Sequence, residues 1–570
     1  MGTIVTPLRS IVQGRASFPR TTVAQIVAKK RGDVHCRPQR MAPASVDLAS
    51  HVLMKRAANS KRIIACALVA HLALIRPVAA QSAQTLIINA DQGRDTISRH
   101  IHGQFAEHLG RLIYDGIWTR EGNGPWHARA DVVQALRAIK VPNLRWPGGC
   151  FADYYHWRDG IGPRESRPTV VNSNWGGVTE DNGVGTHEYL DLIRQIGAEP
   201  FIVGNVGSGS VREMQEWWEY LNHPGKSPMA DLRRANGHPE PWNVRFWGVG
   251  NESWGCGGNM RAERYADEFR RYASFLPGYG SVRPFRIATG PSDDGYAWME
   301  VLMRDAGFMM DGIDLHHYLL TGSWAKKGKA TDFSEAEWAE LLQKATGFDE
   351  LLARHSAIMD RYDPRKRVWL VVGEWGTWHQ GEPGSNPAFL YQQNTLRDAL
   401  VAAVCLDAFN KHADRVRMAN IAQAVNVLQA MILTQGDRML LTPTYHVFEM
   451  YTAHHDAVRL PIAFDAGVYT YGDRSMPAVS ATASRDANGR IHLTLTNVDP
   501  NQARAIRVEL RGQTANTVTG RILTADRMNA HNTFDAPDAV HPAPFTDVRL
   551  SGGIISVQLP PKSLVALELK

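Results

Sequence analysis

The sequence predicts a (β/α)8 TIM barrel followed by a C-terminal antiparallel β-sandwich of jelly-roll type. Between residues 101 and 445, short apolar runs ending in polar residues alternate eight times with other segments, most of them longer amphipathic stretches. This is the pattern of strands covered on both faces by crossover helices. After about residue 445 the helical period disappears, and runs such as Ile491-His-Leu-Thr-Leu-Thr-Asn497 alternate apolar and polar residues between Pro and Gly, as antiparallel strands do. A chain of 570 residues is also too long for one ordinary domain and suits a large barrel with a smaller module.

Residues 1–80 read as a leader. They hold 13 Lys/Arg against Asp33 and Asp47, so they supply +11 of a total formal charge of +6 and leave the rest at about −5. A nucleic-acid partner loses its main support once this segment is set aside. Met54-Lys55-Arg56 and Lys61-Arg62 make a basic start, 63–75 a short apolar stretch, and Val78-Ala79-Ala80 the small residues that a signal peptidase cuts after. The expectation is translation from Met54 and export to a secreted or periplasmic location. The apolar run is too short for a membrane span, so no membrane is expected for the mature form.

Residues 81–100 carry a strand at 85–89 expected to join the sandwich. The barrel is assigned to 101–445, with strands at 102–107, 143–149, 200–206, 244–252, 285–289, 313–318, 368–375 and 419–427. Helices are expected at 131–139, 187–195, 261–275, 334–361 and 387–411. The sandwich takes 446–570, with strands near 490–497, 505–510, 518–524 and 555–559. Gly204-Asn-Val-Gly-Ser-Gly209 lacks the spacing and the Lys of a phosphate cradle and reads as a βα turn.

Cofactors and metals are not expected. His316 and His317 are adjacent on a strand, so their side chains leave opposite faces and cannot chelate one ion; one should face the site and one pack outside. The cysteines beyond the leader, Cys150, Cys256 and Cys405, match no zinc spacing, and their odd number excludes complete pairing. Disulfides are therefore not expected to hold the protein together. The 16 tryptophans offer flat apolar faces suited to sugar rings.

Chemistry should sit at the carboxyl ends of the barrel strands. Glu252 ends Trp247-Gly-Val-Gly-Asn251-Glu252 on the fourth strand, and Glu374 ends Leu370-Val-Val-Gly-Glu374 on the seventh. A charge that ends an apolar run is costly unless it lines a cavity. Two acids in one barrel mouth supply what glycoside cleavage needs: one protonates the leaving oxygen and the other traps the oxocarbenium-like centre. A binding module that had lost catalysis would lack one of them.

Asn251-Glu252 with a strand-seven Glu resembles the clan A glycosidases. The narrower motifs Gly103-Gln-Phe-Ala-Glu107-His-Leu-Gly-Arg111, Leu144-Arg145-Trp-Pro-Gly-Gly149, Gly185-Thr-His-Glu-Tyr189, Leu315-His316-His317-Tyr318, Gly373-Glu374-Trp375 and Met418-Ala-Asn-Ile-Ala-Gln423 resemble the family 51 α-L-arabinofuranosidases. The resemblance runs from about residue 85 to the C-terminus. It implies Glu252 as acid/base and Glu374 as nucleophile. Substrate contacts are implied for Glu107, Arg145, Asn251, His316, Tyr318, Trp378 and Gln423, and for Cys150, where many members carry Asn. It further implies exo-acting, retaining release of terminal α-L-arabinofuranosyl groups from arabinose-containing plant cell-wall polysaccharides or oligosaccharides, and a homo-oligomer, a hexamer in the family. A β-xylosidase or endo-glucanase of the same clan is the alternative.

Overall fold

The computed structural model describes residues 83–122 and 124–570; the leader expected at 1–80 lies outside them. Strand β1 (Gln84–Asn89) precedes a barrel of eight strands: β2 (Gly103–Phe105), β3 (Asn143–Trp146), β4 (Glu199–Gly204), β5 (Phe246–Val249), β6 (Phe285–Ala288), β7 (Gly312–Leu319), β8 (Trp369–Thr377) and β9 (Val416–Ile421). They pair in parallel in chain order, and β9 closes on β2 through Asn420 and Ile421 beside Gly103 and Gln104. Every residue of β3 and β5 is buried, as expected where helices cover one face of a strand and the barrel interior the other. Alternation then sorts the side chains. On β3, Arg145 turns into the barrel, whereas Trp146 turns out and stacks on Tyr189 of helix α2 (Thr186–Ile196), centroids 4.8 Å apart.

The outer helices include α1 (Ala130–Ala138), α2, α3 (Val211–Asn222), α4 (Pro228–Ala235), α5 (Ala262–Ala273), α6 (Tyr296–Ala306), α7 (Glu335–Tyr362) and α8 (Leu396–Lys411). Ser334 and Glu337 form a capping box at the start of α7. The stretch expected to be helical over 387–411 is helical only from Leu396, apart from a single 3-10 turn at Pro387–Phe389. Thr395 and Asp398 form the capping box that starts α8, which sets the boundary inside the expected segment. No helix among the described residues is long and apolar enough to cross a membrane.

The change from barrel to sandwich was expected at 445/446, but helix α9 (Pro443–Tyr451) runs through that point. Thr442 accepts the Tyr445 N–H and Pro443 opens the helix, so this is a built helix start. The sandwich follows as β10 (Val458–Leu460), β11 (Ile462–Phe464), β12 (Val479–Arg485), β13 (Ile491–Asn497), β14 (Arg504–Arg511), β15 (Val518–Leu523), β16 (Ala543–Pro544), β17 (Val548–Ser551), β18 (Ile554–Leu559) and β19 (Ser563–Leu569). One sheet has the order β11-β1-β14-β18-β17 and the other β10-β12-β13-β19-β15-β16. The N-terminal strand does join the sandwich, where it runs parallel to β14 and so makes one exception to the antiparallel pattern.

The alternation of β13 conceals a docking face, because all seven of its residues are buried. Helix α8 packs on this face, and 15 of its 16 residues are buried; a helix apolar nearly all round lies between two layers. Asp407 of α8 accepts hydrogen bonds from Ser480 (2.6 Å) and Tyr451 (2.8 Å). Trp338 of α7 donates to the Val498 carbonyl at 2.9 Å.

Burial pushes the Asp407 carboxyl up to about 7, against its hydroxyl donors. Between about pH 4 and 7 the folded chain therefore holds a proton that the unfolded chain has released, so this site's contribution to stability falls as pH rises through that window. Asp407→Asn should remove this dependence, raising the thermal midpoint relative to the unsubstituted protein more at pH 8 than at pH 5.

Candidate active site

The site lies at the carboxyl ends of the barrel strands, and its centre is one buried cation. Arg145, 1% exposed, donates from Nη1 to Glu374 Oε1 at 2.7 Å and from Nη2 to Asn251 Oδ1 at 2.6 Å. Strands β3, β5 and β8 are thereby tied together by one planar guanidinium, the fork geometry that suits two oxygen acceptors. Burial works against the Arg145 charge, but Glu374 and Asp314 keep its pKa above the ordinary value. The ring of Phe105 lies 4.5 Å from the guanidinium carbon.

Glu374 receives a second hydrogen bond on Oε2 from the Tyr318 hydroxyl at 2.7 Å. Burial and the Glu374 charge hold the Tyr318 phenol well above its usual range, so it stays a donor. Gly149 makes room for Glu374: a Cβ there would sit 2.9 Å from Glu374 Oε1.

Glu252 follows Asn251 in the loop after β5 with a backbone φ of 37°, a conformation that non-glycine residues seldom adopt and that clusters at functional sites. Burial raises its pKa, and the Glu374 charge adds to this while a hydrogen bond from His316 opposes it. His316 Nδ1 lies 2.9 Å from Glu252 Oε1 and 3.6 Å from Glu374 Oε1. One donor atom each from Glu252, His316 and Glu374 fall within 4.8 Å of one another. Burial opposes a charge on His316, yet Glu374, Asp314 and two hydrogen bonds lift its pKa well above the ordinary value. His317 faces the other way, to Asp293 at 2.7 Å and the Phe348 ring, as the alternation requires.

Glu107 stands next to Glu374, close enough for the two charges to interact. Its Oε2 accepts from Gln423 at 3.0 Å, and its Oε1 from Trp175 at 2.9 Å and the Phe151 N–H at 3.1 Å. Burial and the nearby Glu374 charge push it up to about 7, against those donors. Trp378 packs edge-on against Tyr318 at 5.0 Å and against the exposed Trp324 at 5.4 Å.

The structure thus brings together Glu107, Arg145, Asn251, Glu252, His316, Tyr318, Glu374, Trp378 and Gln423. Cys150 needs correction. It is bonded to Cys256, with Cα atoms 5.5 Å apart, so no thiol is offered to a sugar and a disulfide does cross-link the chain; among the described residues Cys405 is the free, buried cysteine. The odd count had excluded complete pairing, but it left one pair possible.

Sequence reasoning missed two orienting acids. Asp314 binds His316 Nε2 at 3.0 Å and accepts the Gly373 N–H at 2.7 Å, where a Cβ on Gly373 would collide with it at 2.1 Å. Asp153 accepts the N–H groups of Val206, Gly207 and Asn251 at 2.7, 2.8 and 3.0 Å. Asp314 was findable, two residues before His316 on the same strand face. Asp153 acts on loops remote in sequence and had no local signal.

A parallel eight-stranded barrel with two paired carboxylates at its mouth defines a glycoside hydrolase. Family models agree: the α-L-arabinofuranosidase 1 domain matches residues 135–332, and the α-L-arabinofuranosidase C-terminal domain matches 373–563. An intracellular exo-α-L-arabinofuranosidase of Bacteroides ovatus is 50% identical over 88% of this chain and 98% of its own. The crystal structure of the family 51 arabinofuranosidase of Xanthomonas axonopodis pv. citri is 49% identical, with a TM-score of 0.84 over 86% of this chain and 100% of that one. The arabinose complex of the Thermotoga maritima α-L-arabinofuranosidase is 31% identical, with a TM-score of 0.75 over 85% of this chain and 99% of that one. The chain belongs to the family 51 α-L-arabinofuranosidases.

These relatives overturn the expected export. The Bacteroides ovatus enzyme is named intracellular, as are relatives from Streptomyces lividans and Halalkalibacterium halodurans, 28% and 31% identical. A basic, apolar, small-residue order at the N-terminus was too generic to set against them.

Tyr318→Phe removes one hydrogen bond to a charged group, worth about 1.5–3 kcal/mol. Steady-state assays with an aryl glycoside should show kcat/KM reduced roughly 10- to 150-fold with the fold intact.

Proposed function

We propose that the protein releases terminal, non-reducing α-L-arabinofuranosyl groups with retention of configuration, by double displacement. The observation that carries this reading is the proximity of Glu252 and Glu374, with an oxygen of each inside a 4.8 Å cluster. Retaining glycosidases hold their carboxyls about 5–5.5 Å apart, whereas inverting ones leave roughly 6.5–9.5 Å for a water.

Glu374, its two oxygens fixed by Arg145 and Tyr318, attacks the anomeric carbon. Glu252 protonates the departing oxygen, and its raised pKa suits that task near neutral pH. It then takes a proton from the water that opens the glycosyl-enzyme. Asn251, fixed by Arg145, bonds the sugar 2-hydroxyl in this reading, a contact that strengthens at the transition state. Glu107 and Gln423 hold further ring hydroxyls, and Trp378 walls the pocket. Exo action draws support from the name of the Bacteroides ovatus relative. Because relatives are named intracellular, arabinose-containing oligosaccharides small enough to enter a cell are favoured over intact polymer.

Glu374→Ala should abolish turnover of every substrate. Glu252→Ala should keep the first step on activated aryl α-L-arabinofuranosides, with azide restoring the second; two equally dead variants without an azide response would overturn the assignment. With methanol as acceptor, NMR should show methyl α-L-arabinofuranoside as the first product, and the β anomer appearing first would rule out double displacement.

In a pH profile, kcat/KM should fall as pH rises through the raised pKa of Glu252, because only the protonated acid serves the leaving group. That alkaline limb should lie above the usual carboxylate range. It should vanish in Glu252→Gln.

A further inference from the structure

We propose that Cys150, Cys256 and Glu252 form a reduction-dependent site for a thiophilic divalent cation of the zinc or cadmium type, and that filling it disables the acid/base. The two sulfurs come from the loops after β3 and β5, 106 residues apart in sequence. Cys256 lies in a turn that folds back on its own acid/base: the Gly255 and Gly257 N–H groups both bond the Glu252 carbonyl, at 2.7 and 3.1 Å. Glycine is required at 257, where a Cβ would meet the Asn251 carbonyl oxygen at 1.7 Å. The turn leaves Cys256 Sγ 3.5 Å from Glu252 Oε2. The other oxygen, Oε1, is taken by His316, so Oε2 is the one that faces the sulfurs.

One donor atom from each of Cys150, Glu252 and Cys256 falls within 4.8 Å of the other two, and all three residues are partly exposed. Reductant and cation can therefore reach them, whereas Cys405 is enclosed. A dithiol passes two electrons and two protons to the disulfide, giving two cysteine thiols and its own cyclic disulfide; the cation then displaces the two thiol protons. Two thiolates at about 2.3 Å and a carboxylate oxygen at about 2.0–2.2 Å make an ordinary zinc ligand set, with a fourth position left for solvent. In a tetrahedron the sulfurs would stand about 3.8 Å apart, so the loops need part only slightly. In the disulfide state only Glu252 of these three donors remains; the separate group of Glu252, His316 and Glu374 has no sulfur and would give no thiolate band. Thiolate donors also exclude magnesium and calcium. Inside a cell, where relatives are named to act, thiol pools keep such pairs reduced.

The test uses the full chain with Cys36 and Cys66 replaced by Ser in every sample, in two states, oxidised and reduced by a dithiol that is then removed under argon. Cadmium is added as the spectroscopic probe and zinc as the inhibitor. The reduced protein should take up one cadmium with a thiolate charge-transfer band in the ultraviolet, absent from the oxidised protein and from reduced Cys256→Ser. Zinc should lower the activity of the reduced protein by on the order of 10²-fold, the scale of general acid–base catalysis. A chelator should restore it, and magnesium should do nothing. No band on reduction, or an equal band in the oxidised protein, overturns the site. The inhibition rests on the acid/base reading of Glu252, whereas the band does not. A band without inhibition overturns the part of the proposal that brings Glu252 to the cation, because the band reports only the sulfurs; the acid/base role itself is tested separately by azide rescue of Glu252→Ala.

Discussion

The active site depends on one buried guanidinium. Arg145 sits among Glu107, Asp314 and Glu374, with Asn251 at its other nitrogen. Several carboxylates so close together in a low-dielectric interior would take up protons if no cation lay among them. Removing one partner of such a buried pair costs about 3–5 kcal/mol, because the other charge is left uncompensated. Arg145 therefore lets the barrel tolerate its own acids. Its planar fork also fixes the angle between strand ends that are far apart in sequence. Lysine, a point charge on a flexible stem, could not hold Glu374 and Asn251 together in the same way.

Around this cation, residues of one type are divided by their partners. Glu374 has a guanidinium and a phenol donating to its two oxygens. Glu252 has only His316 on Oε1 and sulfur near Oε2, so burial raises its pKa. Asp314 and Asp153 do structural work: one turns His316, and the other clamps the loops after β4 and β5 by accepting their N–H groups. Two acids at the same barrel mouth thereby stand in different surroundings, which the proposed double displacement would use.

The sandwich supports the barrel through a face that reads as solvent-exposed. Thr494 and Thr496 of β13 are the polar half of a regular alternation, yet both are buried. The hydroxyls of the neighbouring Ser480 and Tyr451 satisfy Asp407 of α8. A polar stripe on a strand shows only that one face is not apolar. Whether water or another layer meets it depends on what packs there.

Sequence by itself determined the fold class, the approximate places of the barrel strands and the two carboxylates that follow them, because those signals are local: a period of two or 3.6 residues, a charge closing an apolar run, a Pro-Gly-Gly turn; the eighth strand, expected at 419–427, runs over Val416–Ile421. It also placed His316 and His317 on opposite faces, which strand geometry alone requires. The tertiary structure decided what depends on separations long in sequence and short in space. The Cys150–Cys256 bond spans 106 residues, Asp153 reaches loops about 50 and 100 residues on, and the polar face of β13 became an interface. No local period encodes which loops will meet once eight strands close into a ring, so pairings across the barrel mouth could be read only after closure.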